Sequence, residues 1–160
     1  MKKGVFIIIV LFISLTTFSQ EQIYNPKADA AKNVKEAVQK AKQNDKHVFV
    51  MIGGNWCPWC RKLHSLLTTN EELSKVLNKN YVMVKVNYSK ENKNQDVLAS
   101  FAYPQRFGFP VLVILNEKGR RIHTQNTVYL EEGKGYEIER IKTFLKNWSP
   151  SALSAELYEE

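Results

Sequence analysis

Cysteine is nearly absent from this 160-residue chain: it has two, Cys57 and Cys60, with two residues between them. That scarcity excludes a disulfide-stapled scaffold, because a bridge closing so small a loop removes little entropy from the unfolded chain. Histidine is almost as scarce, with three residues, His47, His64 and His123. A structural zinc site wants four Cys or His ligands, and few are on offer. Haem attachment would want histidine directly after the second cysteine, where Arg61 stands instead. No long basic run and no nucleic-acid motif occurs. The net charge of +7 comes from scattered lysines that read as a solvated surface, so no nucleic-acid partner is expected. No internal repeat or interdomain linker is visible.

The chain does have a patterned N-terminus. Met1-Lys2-Lys3-Gly4 is basic and leads into the apolar run Val5 to Ile13, followed by small residues at Thr17 and Ser19. This is the layout of a secretory signal over residues 1–19, cut after Ser19, with an uncleaved anchor as the alternative. The apolar run is shorter than the ~20 residues that span a bilayer. No cysteine follows it, which argues against a lipid anchor. The expected location is the periplasm, the cell envelope or the exterior, where disulfides persist. About 140 residues remain, enough for one domain.

Cys57-Pro58-Trp59-Cys60 is the most informative segment. Upstream, His47 to Ile52 is a short apolar run rich in β-branched residues that ends at Gly53-Gly54-Asn55, a buried strand and a turn. Downstream, Leu63, Leu66 and Leu67 recur at helical spacing. The cysteines therefore stand where a strand hands over to a helix. A helix N-terminus presents unpaired N–H groups and partial positive charge, which lower a cysteine pKa from about 8.5 to roughly 3.5–7.5. Pro58 suits the first helical turn. Cys57 is expected to be the exposed, attacking sulfur, and Cys60, one turn deeper, the resolving sulfur.

Along the rest of the chain, Asn25-Pro26 reads as a helix start, with Ala30, Ala31, Val34, Ala37, Val38 and Ala41 on one face. Thr69-Asn70-Glu71-Glu72 reads as a capping box opening a helix through Leu77. Tyr81 to Tyr88 is a second strand, and Asp96 to Ala102 a weak helix. Val111 to Leu115 is the strongest strand, joined through Asn116-Glu117-Lys118-Gly119 to a hairpin partner from Arg120 to about Val128. A last helix carries Ile138, Ile141, Leu145 and Trp148, and a loose tail covers residues 149–160. The order predicts one α/β domain with helices on both faces of a central mixed sheet.

In these features the chain resembles the thioredoxin-like family over residues 20–148. Trp56-Cys57-Pro58-Trp59-Cys60, Val84-Lys85-Val86-Asn87 and Phe107-Gly108-Phe109-Pro110-Val111 carry the likeness. The resemblance implies the thioredoxin fold, with Pro110 as the cis-proline facing the dithiol. It further implies a substrate groove with Phe109 and Pro110 on one wall and Trp56, Pro58 and an exposed Trp59 on the other. A peptide could pair there with main-chain groups as an added strand. The chain departs from thioredoxin where that family has a buried aspartate, for Met51 stands there. Lys85 matches the accompanying lysine and is the candidate for proton transfer. Proline followed by an aromatic between the cysteines is nearer to glutaredoxins and the oxidant DsbA.

These features predict an exported thiol–disulfide oxidoreductase of reductase or isomerase type. It needs no cofactor, binds no metal, works as a monomer, and acts on proteins with disulfides with a membrane-bound electron donor. The alternatives are a copper-handling protein using Cys57, Cys60 and His64, which lies four residues after Cys60 on the same helical face, and a non-catalytic interaction module.

Overall fold

A computed structural model describes residues 22–159, so the signal-like segment 1–19 lies outside the described residues. Helix α1 (Ala30–Gln43) precedes strand β1 (His47–Gly53). Helices α2 (Pro58–Thr69) and α3 (Glu71–Asn80) then lead to β2 (Tyr81–Asn87). A short α4 (Gln95–Ser100) comes before β3 (Val111–Leu115) and β4 (Arg121–Asn126). The two-residue strands β5 (Glu131–Glu132) and β6 (Gly135–Tyr136) precede α5 (Ile138–Asn147).

The four-stranded sheet runs in the order β2-β1-β3-β4, with β1 parallel to β2 and antiparallel to β3, and β3 antiparallel to β4. Strands β1 and β3 lie at its centre and every residue in them is buried. That is why both read as continuous apolar runs rather than alternating ones. Alternate side chains divide the core. Phe49, Met51, Leu112 and Ile114 face Leu63 and Leu67 of α2, Leu73 and Leu77 of α3, and Ile141, Phe144 and Leu145 of α5. Val48, Val50, Ile52, Val111 and Val113 face Ala30, Ala37 and Ala41 of α1, together with Val97 and Leu98 of α4. The sheet is mixed and covered on both faces, as the residue pattern predicted.

Several boundaries differ from the sequence reading, and each difference has a hydrogen bond behind it. Helix α1 is capped by Asp29 rather than Asn25: the Asp29 carboxylate accepts from the Lys32 N–H at 2.9 Å. Asn25 uses its side chain in a local turn instead, accepting from the Lys27 N–H at 2.9 Å. Asn70, not Thr69, caps α3, accepting from the Leu73 N–H at 3.0 Å, while its own N–H closes α2 on Leu66. Strand β4 stops at Asn126, whose side chain accepts from the Val128 N–H and starts a 3-10 turn over Thr127–Leu130.

The expected loop around Gly133 and Gly135 is the β5–β6 hairpin. The tail, read as loose, folds into two 3-10 turns, Ser151–Leu153 and Ala155–Leu157, with Ser149 buried and the Tyr158 hydroxyl on the Ala152 carbonyl at 2.9 Å.

Candidate active site

The end of β1 delivers the two cysteines to α2. The Cys57 N–H bonds the Gly54 carbonyl at 3.0 Å, and Cys57 itself caps α2, its sulfur accepting from the Cys60 N–H at 3.1 Å. Pro58 occupies the first turn, where its missing donor costs nothing. Cys57 and Cys60 form a disulfide with α-carbons 5.3 Å apart. The sulfur acceptor thus sits at the helix N-terminus that the sequence placed there, in the geometry that stabilises a thiolate.

Cys57 is not exposed, contrary to expectation. It is 3% exposed and Cys60 0%, and both belong to the core cluster on the α2 face of the sheet. As cap of a helix whose other face is the core, Cys57 is drawn in with Leu63 and Leu67. It is nonetheless the less enclosed of the two. Cys60 Sγ is pressed against Gly53, where a Cβ would come within 2.5 Å of it. Any larger residue there would press on the sulfur.

The groove residues divide into two groups. On one side, exposed Trp56 meets Phe109 edge-on, with ring centroids 5.5 Å apart, and its indole N–H donates to the Tyr88 carbonyl at 2.7 Å. Phe109 in turn packs against Tyr88 at 4.7 Å. The Phe109–Pro110 peptide is cis, and the buried Thr127 hydroxyl donates to the Pro110 carbonyl at 2.6 Å.

On the other side, Trp59 is half-buried rather than exposed. It stands edge-on to Tyr136 at 5.3 Å, with the Lys62 ammonium 4.8 Å from its ring centre. The unforeseen β5–β6 hairpin supplies Tyr136, and so covers Trp59. Pro58, exposed, lies between the two groups.

Trp56 also borders an open depression of about 320 Å³ lined by Tyr88, Ser89, Lys90, Glu91 and Lys93. The Tyr88 N–H bonds the Gly53 carbonyl at 2.6 Å, tying the ends of β1 and β2 together. Asn87 then holds the following loop through Ser89 and Asn92. A stretch that read only as polar connection is therefore a built wall.

Beneath the dithiol, Met51 is fully buried, and its register partner Lys85 is half-buried on the same face of the sheet. The sequence reading overlooked Tyr24, which is 1% exposed and whose hydroxyl would lie 2.8 Å from a Cβ on Gly53. Asn55 ties it down, accepting from the Tyr24 N–H at 3.0 Å and donating to its carbonyl at 2.7 Å. Burial pushes the Tyr24 phenol far above its ordinary range, and nearby Tyr136 adds to this; burial also raises Tyr136. Tyr24 precedes the first helix and belongs to no periodic pattern, so only the turn residues Asn25-Pro26 beside it offered a signal. Among the described residues, with the two cysteines joined as a disulfide, no group of three or more His, Cys, Asp or Glu is placed to hold a metal.

A thioredoxin-like family model matches residues 29–117. An uncharacterized protein of Caenorhabditis elegans is 34% identical over 82 residues, 50% of this chain and 11% of that protein. Spermatogenesis-associated protein 20 of Mus musculus is 35% identical over 66 residues, 41% of this chain and 8% of that one. The chain thus spans about a tenth of the length of the curated relatives it matches.

Among solved structures, the disulphide isomerase of Xylella fastidiosa superposes with a TM-score of 0.71 at 25% identity, covering 79% of this chain and 96% of that one. The C-terminal domain of DsbD from Neisseria meningitidis, in the oxidised form, gives 0.52 at 18% identity, covering 75% and 97%. The second likeness bears on the fold alone.

Proposed function

The chain belongs to the thioredoxin-like family, and from that premise we propose that it is an exported thiol–disulfide oxidoreductase acting on protein disulfides. The observation that carries this reading is the Cys57–Cys60 disulfide at the cap of α2, with Cys57 as the sulfur that receives the first-turn N–H. The disulfide isomerase it resembles supports the chemistry. The signal-like pattern of residues 1–19 supports export.

In the forward direction the Cys57 thiolate attacks one sulfur of a substrate disulfide. The other substrate sulfur leaves as a thiolate and takes a proton from solvent. Cys60, losing its proton to solvent, then attacks Cys57 Sγ in the mixed disulfide, and the second substrate sulfur departs and is protonated. The substrate gains two electrons and the protein is left as the Cys57–Cys60 disulfide. Resetting it requires an external dithiol donor, and for an enzyme in the cell envelope we assign that role to a membrane-bound partner.

Trp56, Phe109, Pro110 and the exposed ring of Pro58 form the surface against which an extended substrate segment would lie, with Trp59 bracing its far side. Lys85, half-buried on the dithiol's face of the sheet, is the candidate to pass the Cys60 proton on to solvent. The domain, residues 20–148, is taken to act as a monomer. Reductase or isomerase work is favoured over net oxidation, on the likeness of the segments around the motif to thioredoxin-like reductases.

Cys60→Ser tests the reading, because without the resolving sulfur the mixed disulfide cannot be released. The reduced variant, incubated with a disulfide-containing protein, should accumulate covalent adducts through Cys57 that a reductant dissolves. A variant that forms none refutes the proposal. The reduction potential then sets the direction, near about −270 mV for a reductant and about −120 mV for an oxidant.

A further inference from the structure

We infer that Tyr24 is a third member of the redox site, its phenol O–H the donor that stabilises the Cys60 thiolate as the resolving step begins. This deepens the oxidoreductase reading and rests on it. The Tyr24 hydroxyl is buried with no hydrogen-bond partner while the disulfide is closed. Buried hydroxyls are nearly always paired, so an orphan calls for a physical reason. Proximity supplies it. A Cβ on Gly53 would lie 2.5 Å from Cys60 Sγ and 2.8 Å from the Tyr24 hydroxyl, so sulfur and phenol flank the same α-carbon. A bonded sulfur accepts weakly, whereas a thiolate accepts a strong, charge-assisted bond. Opening the disulfide turns one into the other beside the same hydroxyl.

The main chain holds the phenol in place. Both backbone groups of Tyr24 bond the Asn55 side chain, two residues before Cys57, and the Arg61 guanidinium holds the Asn55 carbonyl. The titratable and charged groups around Tyr24 are Cys57, Cys60 and Arg61 from the β1–α2 junction, Tyr136 from β6, and Lys85 on the same face of the sheet. With its pKa driven up by burial, the phenol keeps its proton and is not a base. In the resolving step, solvent takes the Cys60 proton, the Cys60–Cys57 bond forms, the Cys57–substrate bond breaks, and the departing sulfur is protonated. Tyr24 donates a hydrogen bond throughout and ends as it began. Tyr24 and Tyr136 both lie outside residues 29–117, so the assignment comes from this chain's own packing rather than from the matched family segment.

The test mixes reduced full-chain protein with dithiobis(nitrobenzoate), which releases one coloured thiolate on capture by Cys57 and a second, independently of reagent concentration, when Cys60 resolves the adduct. Tyr24→Phe keeps the ring and removes the hydroxyl. It should raise the pH midpoint of the second phase by about one unit, a tenfold change in the thiol–thiolate balance. A thiolate of higher pKa is also more nucleophilic. Release should therefore be about threefold slower below the midpoint and about threefold faster above it, with the first phase unchanged.

A merely structural role slows release at every pH and produces no crossing. A fluorinated tyrosine at position 24, a stronger donor, should lower the midpoint. The assignment is overturned if folded Tyr24→Phe keeps the wild-type midpoint or, should that variant not fold, if fluorotyrosine leaves it unmoved. A wild-type protein with no second phase overturns the oxidoreductase reading itself.

Discussion

Gly53→Ala puts the closeness of the dithiol's surroundings to a direct test. The added methyl would stand 2.5 Å from Cys60 Sγ, 2.8 Å from the Tyr24 hydroxyl and 3.2 Å from the Tyr24 ring carbon that bears it. None of these neighbours can swing away cheaply. Cys60 is fixed by the disulfide, and Tyr24 is enclosed and pinned at its backbone by Asn55. Overpacking of this kind costs about 1–3 kcal/mol. Alanine gives back about 0.4–1 kcal/mol by restricting the unfolded chain, and the backbone of Gly53 is ordinary strand. The net loss expected for the oxidised protein is about 1–2 kcal/mol.

Urea unfolding of the oxidised protein reads this as a lower midpoint. At a slope of about 1–3 kcal/mol per molar, the shift is roughly 1 M with the slope unchanged. After reduction the Cys60 side chain can rotate off the methyl, so the loss should be smaller. An oxidised Gly53→Ala protein as stable as the parent would refute the packing of sulfur and phenol against this α-carbon, and would weaken the role given to Tyr24.

Lys85→Met removes the one basic side chain on the dithiol's face of β2 and should slow reduction of a protein disulfide; an unchanged rate across pH would take Lys85 out of the mechanism. Asp29→Ala removes the side chain that caps α1 and should cost about 1 kcal/mol in thermal or urea unfolding, whereas Asn25→Ala should cost less; the reverse order would restore the helix start read from the sequence.

Most of the fold was legible because its signals are local and redundant. Strand β3 is five consecutive apolar residues bounded by Pro110 and the turn Asn116 to Gly119, and β1 is an apolar run ending at Gly53-Gly54, so burial on both faces was written into composition. The disulfide pair was legible for the opposite reason: two cysteines, in a chain otherwise without them, stand together at a strand-to-helix handover.

What stayed hidden is contact between segments far apart in sequence. Tyr24, 36 positions before Cys60, is held beside Gly53 with its backbone bonded to Asn55, and nothing in the spacing of either residue announces that bond. A place between the cysteines predicts an exposed Trp59, yet Tyr136 covers it from a hairpin of two-residue strands too short to leave a periodic trace. The same cause explains Cys57, whose expected exposure followed from helix position, while its burial followed from which face of α2 the sheet received. On the proposed reading, the two sulfurs are named by the local sequence and tuned by distant aromatic side chains. That is why substitutions at Tyr24 and Gly53, outside the motif, are the ones expected to change how Cys60 behaves without touching how Cys57 attacks.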